Sequence, residues 1–112
     1  MTSSFAKGEL KVSEAQRQAA IELCQQAGQT AALGCMKAFG TTDFRNDLAK
    51  ITVPTLVLHG DADGIVPLAG SGSLTHKRVA HSELVVLAGA PHGCNVSHAD
   101  ECNKALVDFL KK

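Results

Sequence analysis

Two short runs, Thr55-Leu56-Val57-Leu58 and Leu84-Val85-Val86-Leu87, constrain this chain more than any other feature. Neither alternates apolar with polar residues. Continuous runs of strand formers are what parallel strands look like when helices cover both faces of their sheet. Parallel neighbours cannot be joined by a hairpin, so the chain must leave the first strand, cross over and return by a right-handed β-α-β connection. Leu68 to Ala80 is the expected crossover helix, with Pro67 at its first helical position. Gly70 and Gly72 weaken its first turns, at about 1 kcal/mol each relative to Ala.

Helical signals flank this unit. Ser13-Glu14-Ala15-Gln16 fits the capping box that starts a helix. Ala19, Ala20, Leu23, Cys24 and Ala27 follow at helical spacing; Gly28 weakens the helix, and Thr30 can restart it. Ala32, Cys35, Met36 and Phe39 then form a second apolar stripe, read as core packing, which Gly40 is placed to end in the left-handed conformation. Asp43 to Lys50 fits one short helical turn. A last helix is expected from a capping-box-like Ser97-His98-Ala99-Asp100, with Ala99, Cys102, Leu106, Phe109 and Leu110 as its apolar face and Lys111 and Lys112 at its negative end. Residues 1–12 read as a loose lead-in.

The 112 residues carry 11 Lys+Arg and 11 Asp+Glu. That balance offers no basic surplus, which argues against nucleic acid or an anionic membrane as a partner. With 45% hydrophobic and 20% charged residues the composition is that of one small globular domain. No apolar run approaches the roughly 20 residues that span a bilayer, and Met1 to Lys7 lacks the apolar centre of a secretory signal. The expectation is a cytoplasmic soluble protein. Cys24, Cys35, Cys94 and Cys102 include no Cys-x-x-Cys pair, so neither a zinc ribbon nor a redox motif is supported. No Trp, no Tyr and four Phe leave too little material for aromatic stacking platforms.

Polar groups in parallel α/β sheets collect in the loops beyond the carboxyl ends of the strands. Two such loops follow the strands: His59-Gly60-Asp61-Ala62-Asp63-Gly64-Ile65-Val66-Pro67 and Ala88-Gly89-Ala90-Pro91-His92-Gly93. Adjacent strands lie about 4.8 Å apart, so a carboxylate on one loop can reach an imidazole on the next. Such a carboxylate fixes the imidazole's tautomer, as a nucleophile's base requires. Pro91 and Gly93 are suited to holding the imidazole on a stiff bend that allows close backbone approach. Acids in such loops also serve as solvated turn or capping residues, and pattern alone leaves both readings open. A second set, His92, Cys94, His98 and Cys102, reads H-x-C-x3-H-x3-C and has the ligand types of a tetrahedral zinc site. The alternative is that both cysteines fill small apolar positions and His98 sits exposed in the first helical turn.

Thr42-Asp43-Phe44-Arg45, Val53 through Pro67 with its H-G-D-x-D-x-x-V-P pattern, and Ala90-Pro91-His92-Gly93 resemble the C-terminal part of an α/β-hydrolase. The similarity is to the cofactor-free haloperoxidase and arylesterase family, also called non-haem chloroperoxidases. It runs from about Gly8 to Leu110. Lys11-Val12-Ser13 and Cys35-Met36-Lys37-Ala38-Phe39 resemble the family's cap helices. The resemblance implies two regions, 1–42 as lead-in and cap-type helices and 43–112 as a C-terminal β-α-β-α unit. It also implies that Asp63 is the triad acid and His92 the base. Asp61 then becomes a turn residue, and His59 ends the strand and packs. Family members hydrolyse small esters and form peracids with peroxide, and no metal, haem or other cofactor is implied.

The nucleophile motif G-x-S-x-G precedes the acid in this fold, and no such motif stands before Asp63. Gly70-Ser71-Gly72-Ser73 lacks the spacing and follows the acid. The chain is therefore expected to supply two triad members, no oxyanion hole and no ester turnover alone. Two other readings are a non-catalytic interaction fragment and a complementing subunit of a two-chain hydrolase. A two-stranded sheet leaves open edges, so a homo-oligomer or a complementing chain is expected along Thr55–Leu58.

Overall fold

Ser13 opens the first helix through a complete capping box. Its hydroxyl accepts from the Gln16 amide at 3.1 Å, and its own amide donates to Gln16 Oε1 at 2.8 Å. The structure, a computed structural model, describes residues 12–112. The expected lead-in and the cap resemblance at Lys11 fall largely or wholly outside the described residues. Helix α1 spans Glu14–Gln25 and α2 spans Gln29–Thr41, with extended Gly28 between them as the α2 cap.

Gly40 does not end α2. It remains helical, and the helix runs to Thr41 before Thr42 turns extended (φ −84°, ψ 129°). Over this last turn Thr41 Oγ1 donates to the Lys37 carbonyl at 2.8 Å and Thr42 Oγ1 to that of Ala38 at 2.6 Å. Nor does the second apolar stripe form core. Met36 is 69% exposed, Phe39 is 77% exposed and Cys35 is also exposed. The periodicity correctly marked one face of a helix, yet no described element packs extensively against it.

A single turn, α3 (Arg45–Leu48), forms where expected. Asp43 Oδ1 accepts from the Arg45 amide at 3.0 Å, and its carboxylate pairs with the Arg45 guanidinium at 2.6 Å. The guanidinium and amide of Arg45 pull the Asp43 carboxyl down to about 2.

Strands β1 (Thr55–Gly60) and β2 (Ser82–Leu87) pair in parallel, from Thr55 opposite Ser82 to Gly60 opposite Leu87. Each is longer than its apolar run because the ladder admits His59 and Gly60 on one side and Ser82 and Glu83 on the other. Between them the chain makes a 3-10 turn, Leu68–Gly70, breaks at Ser71 and forms α4 over Gly72–Arg78. The crossover is thus shorter than expected, and Pro67 precedes the turn instead of starting the helix.

After β2 come a short α5 (Cys94–Ser97) and then α6 (Ala99–Leu110). Ser97 is not the cap of α6. Its hydroxyl lies 2.8 Å from His98 Nδ1 and 3.3 Å from the Gly93 carbonyl, leaving α6 without a side-chain cap. Helix α4 packs on the sheet face bearing His59 and Ser82, where His76 Nδ1 lies 2.8 Å from Ser82 Oγ. Helix α6 packs on the opposite face.

The core joins Leu87, Ala90 and Cys102 to Leu58, Val85 and Cys94. It is small; most strand residues that the runs suggested would be covered are only half-buried, and Val86 is exposed. The inner face of α6 is Cys102, Ala105 and Phe109, whereas Leu106 and Leu110 of the expected face are exposed. Lys112 reaches Glu83 of β2 at 2.6 Å.

Candidate active site

Both strands end on the same side of the sheet, and the register carries their loops into contact. Gly60 is where they approach most closely: a Cβ there would lie 2.1 Å from the Ala90 carbonyl oxygen. Only glycine allows that approach. The Asp61 amide donates to the Leu87 carbonyl at 3.2 Å and the Ala62 amide to Ala90 at 3.1 Å, extending the strand contact into the loops. The expected close approach at Gly93 is absent, since nothing lies within 4 Å of a Cβ there.

Asp61 faces the second loop. Its Oδ1 accepts from the Gly89 amide at 2.6 Å, and Gly89 has a φ of 70°, the only positive φ among the described residues. Asp61 therefore fastens the turn that carries Pro91 and His92. Pro91 is fully buried, which anchors the residue before His92.

Asp63 and His92 come together. Asp63 Oδ1 accepts from the amides of Ile65 at 3.0 Å and Val66 at 2.8 Å, and Oδ2 lies 2.8 Å from His92 Nδ1. The Asp63 side chain is 4% exposed and that of His92 is 50% exposed. Burial pulls the Asp63 carboxyl upward. The amides of Val66 and Ile65 and the His92 ring outweigh it, and the group titrates below the ordinary carboxylate value. A carboxylate only accepts, so His92 Nδ1 donates and its Nε2 is left with a lone pair. Such an imidazole can take a proton from a hydroxyl and return it to a leaving group.

His59 does more than end the strand and pack. Its Nε2 lies 2.8 Å from the Val66 carbonyl oxygen and 3.4 Å from Asp63 Oδ2. A motif reading misses this because the Val66 contact depends on how the loop folds back. Ser71, in the Gly-Ser-Gly-Ser stretch, donates to the Pro67 carbonyl at 2.6 Å.

The His92, Cys94, His98 and Cys102 set does not assemble into a ligand cage. Among the described residues no three His, Cys, Asp or Glu side chains are grouped to hold a metal ion. Cys102 is buried and Cys94 packs against it in the core, where burial, reinforced by Cys102, pushes the Cys94 thiol up. Among the described residues no helix is long and apolar enough to cross a membrane.

No family model matches the chain. A non-heme chloroperoxidase of Kitasatospora aureofaciens is 41% identical over 80 residues, 70% of this chain and 29% of that protein. A bifunctional esterase/perhydrolase of Acinetobacter calcoaceticus is 40% identical over 74 residues, 66% of this chain and 27% of that protein. The crystal structure of a bromoperoxidase from Bacillus anthracis matches with a TM-score of 0.93 and 43% identity, over 98% of this chain and 41% of that one. The chain spans about a third of the length of the curated relatives it matches. Over the segment it spans, the chain corresponds in sequence and fold to the C-terminal part of the α/β-hydrolases that include the non-heme haloperoxidases.

Proposed function

We propose that Asp63 and His92 are the acid and base of a serine-hydrolase triad acting on small esters or carboxylic acids. The observation that carries this reading is the 2.8 Å contact between His92 Nδ1 and an almost fully buried Asp63 carboxylate. It leaves Nε2 as the basic nitrogen on a half-exposed ring. Asp63 orients the imidazole and stabilises the imidazolium that forms when Nε2 takes a proton from a nucleophilic hydroxyl. The likeness to an esterase/perhydrolase supports ester hydrolysis and, with hydrogen peroxide in place of water, peracid formation.

The 112 residues contain no G-x-S-x-G before the acid, and the oxyanion-hole amide that follows such a nucleophile is lacking with it. They are proposed to be inactive alone. Loss of one oxyanion donor alone is worth about 10²–10³ in rate, and here the nucleophile is missing as well. The test is p-nitrophenyl acetate cleavage by the purified chain and by His92→Ala. Equal background rates are expected. A saturable, serine-inhibitor-sensitive rate lost in the variant refutes the proposal.

A second observation favours a partner. Among the described residues β1 pairs only with β2, and α1 and α2 bury no residue. Unpaired strand edges recruit other strands. We propose that the Thr55–Leu58 edge is completed by a second copy of the chain or by a complementing hydrolase segment.

A further inference from the structure

The acid loop has its own fastening, and it begins at His59. This inference rests on reading Asp63 and His92 as acid and base. Asp63 is held on Oδ1 by the amides of Ile65 and Val66, so its position depends on what holds that stretch of loop. The Val66 carbonyl meets His59 Nε2 at 2.8 Å. A carbonyl oxygen only accepts, so Nε2 carries the proton. The same nitrogen lies 3.4 Å from Asp63 Oδ2, the oxygen His92 uses.

The ring itself is seated tightly. The His59 side chain is 12% exposed. At Gly72, the first residue of α4, a Cβ would lie 2.6 Å from His59 Nδ1 and 3.2 Å from Cγ. Gly72 thus serves the ring behind the acid.

We propose that His59 is a positioning residue for the acid. Its Nε2–H holds Val66, Val66 holds Asp63, and Asp63 holds His92 in the Nδ1–H tautomer. The two imidazoles around one carboxylate must therefore adopt opposite tautomers.

Ring-15N NMR of the 112-residue chain at about pH 8.5, well above the ordinary imidazole value, tests this. His59 is expected as Nε2–H and His92 as Nδ1–H with a downfield proton resonance. His59→Phe keeps a ring and removes the donor; His92 is expected to lose that resonance and become a mixture of tautomers. His59→Gln keeps an N–H for Val66 and is expected to restore it. Gly72→Ala, which displaces the ring without removing it, is expected to reproduce the loss. Wild-type His59 in the Nδ1–H form overturns the proposal with no variant needed, as does an unchanged His92 in folded His59→Phe. Asp63→Asn is the separate control: if it leaves the His92 resonance intact, the acid–base reading itself fails.

Discussion

Gly60→Ala is the substitution for which the structure makes the sharpest demand. The new Cβ would stand 2.1 Å from the Ala90 carbonyl oxygen and 2.6 Å from its carbon. Both are backbone atoms, so no side chain can swing aside. Relief requires the loops to part by about 1 Å or more to reach ordinary contact. That movement strains the Ala62–Ala90 and Asp61–Leu87 hydrogen bonds. Overpacking costs about 1–3 kcal/mol and each weakened hydrogen bond about 1 kcal/mol, so a loss of about 3 kcal/mol is expected. With a urea m-value of about 1 kcal/mol/M for a small protein, the midpoint should fall by about 2–3 M. The chain has no Trp or Tyr for fluorescence; the amide resonances of Val85 and Leu87 report on the sheet directly. Gly93→Ala is the reference, since that position has an ordinary φ of −80° and open space around it. Its midpoint should move by less than about 0.5 M, the size of a neutral substitution. Equal midpoints for the two variants would refute the claim that loop contact at Gly60 sets the site.

Acid should weaken the fold through Asp63. Its folded carboxyl lies below the ordinary value, so its contribution is fully present above the unfolded value, near pH 4, and is lost as pH falls through the folded one. Urea midpoints should hold at neutral pH and drop below about pH 4, with a smaller drop in Asp63→Asn. Asp61→Ala removes the acceptor of the Gly89 amide and should cost about 1–2 kcal/mol while broadening the Gly89 and His92 resonances; an unchanged spectrum contradicts its role in the turn. Light scattering across a dilution series should detect association of the chain, and a well-folded monomer at micromolar concentration rules out pairing of the Thr55–Leu58 edge with a second copy.

Local signals made the strands and their two facing loops legible, whereas the choice of Asp63 as the partner of His92 came from the family resemblance. Apolar runs located β1 and β2, and the two loops follow from where those strands end. The capping box at Ser13 needs only four residues, and it forms as read. Features that depend on distant partners were not legible. The Met36 and Phe39 stripe specifies a face but not what covers it. The end of α2 fell at Thr42, past Gly40, where the chain turns extended, and α5 took in the Ser97 that resembled a cap. His59 is the most instructive case. Nothing in its neighbours distinguishes a packed ring from one that holds Val66, because that contact exists only once the loop has closed.

The separation of α1 and α2 from the sheet has a consequence for cooperativity. These helices carry no buried residue, so little free energy couples their melting to that of the β-α-β-α unit. The chain should not unfold as one two-state unit. Amides in α1 and α2 should exchange quickly through local fraying, while those of β1 and β2 wait for a rarer, larger opening. Far-ultraviolet circular dichroism, weighted towards helices, would then record a broad transition dominated by α1 and α2. The sheet that supports Asp63 and His92 would melt as a separate event.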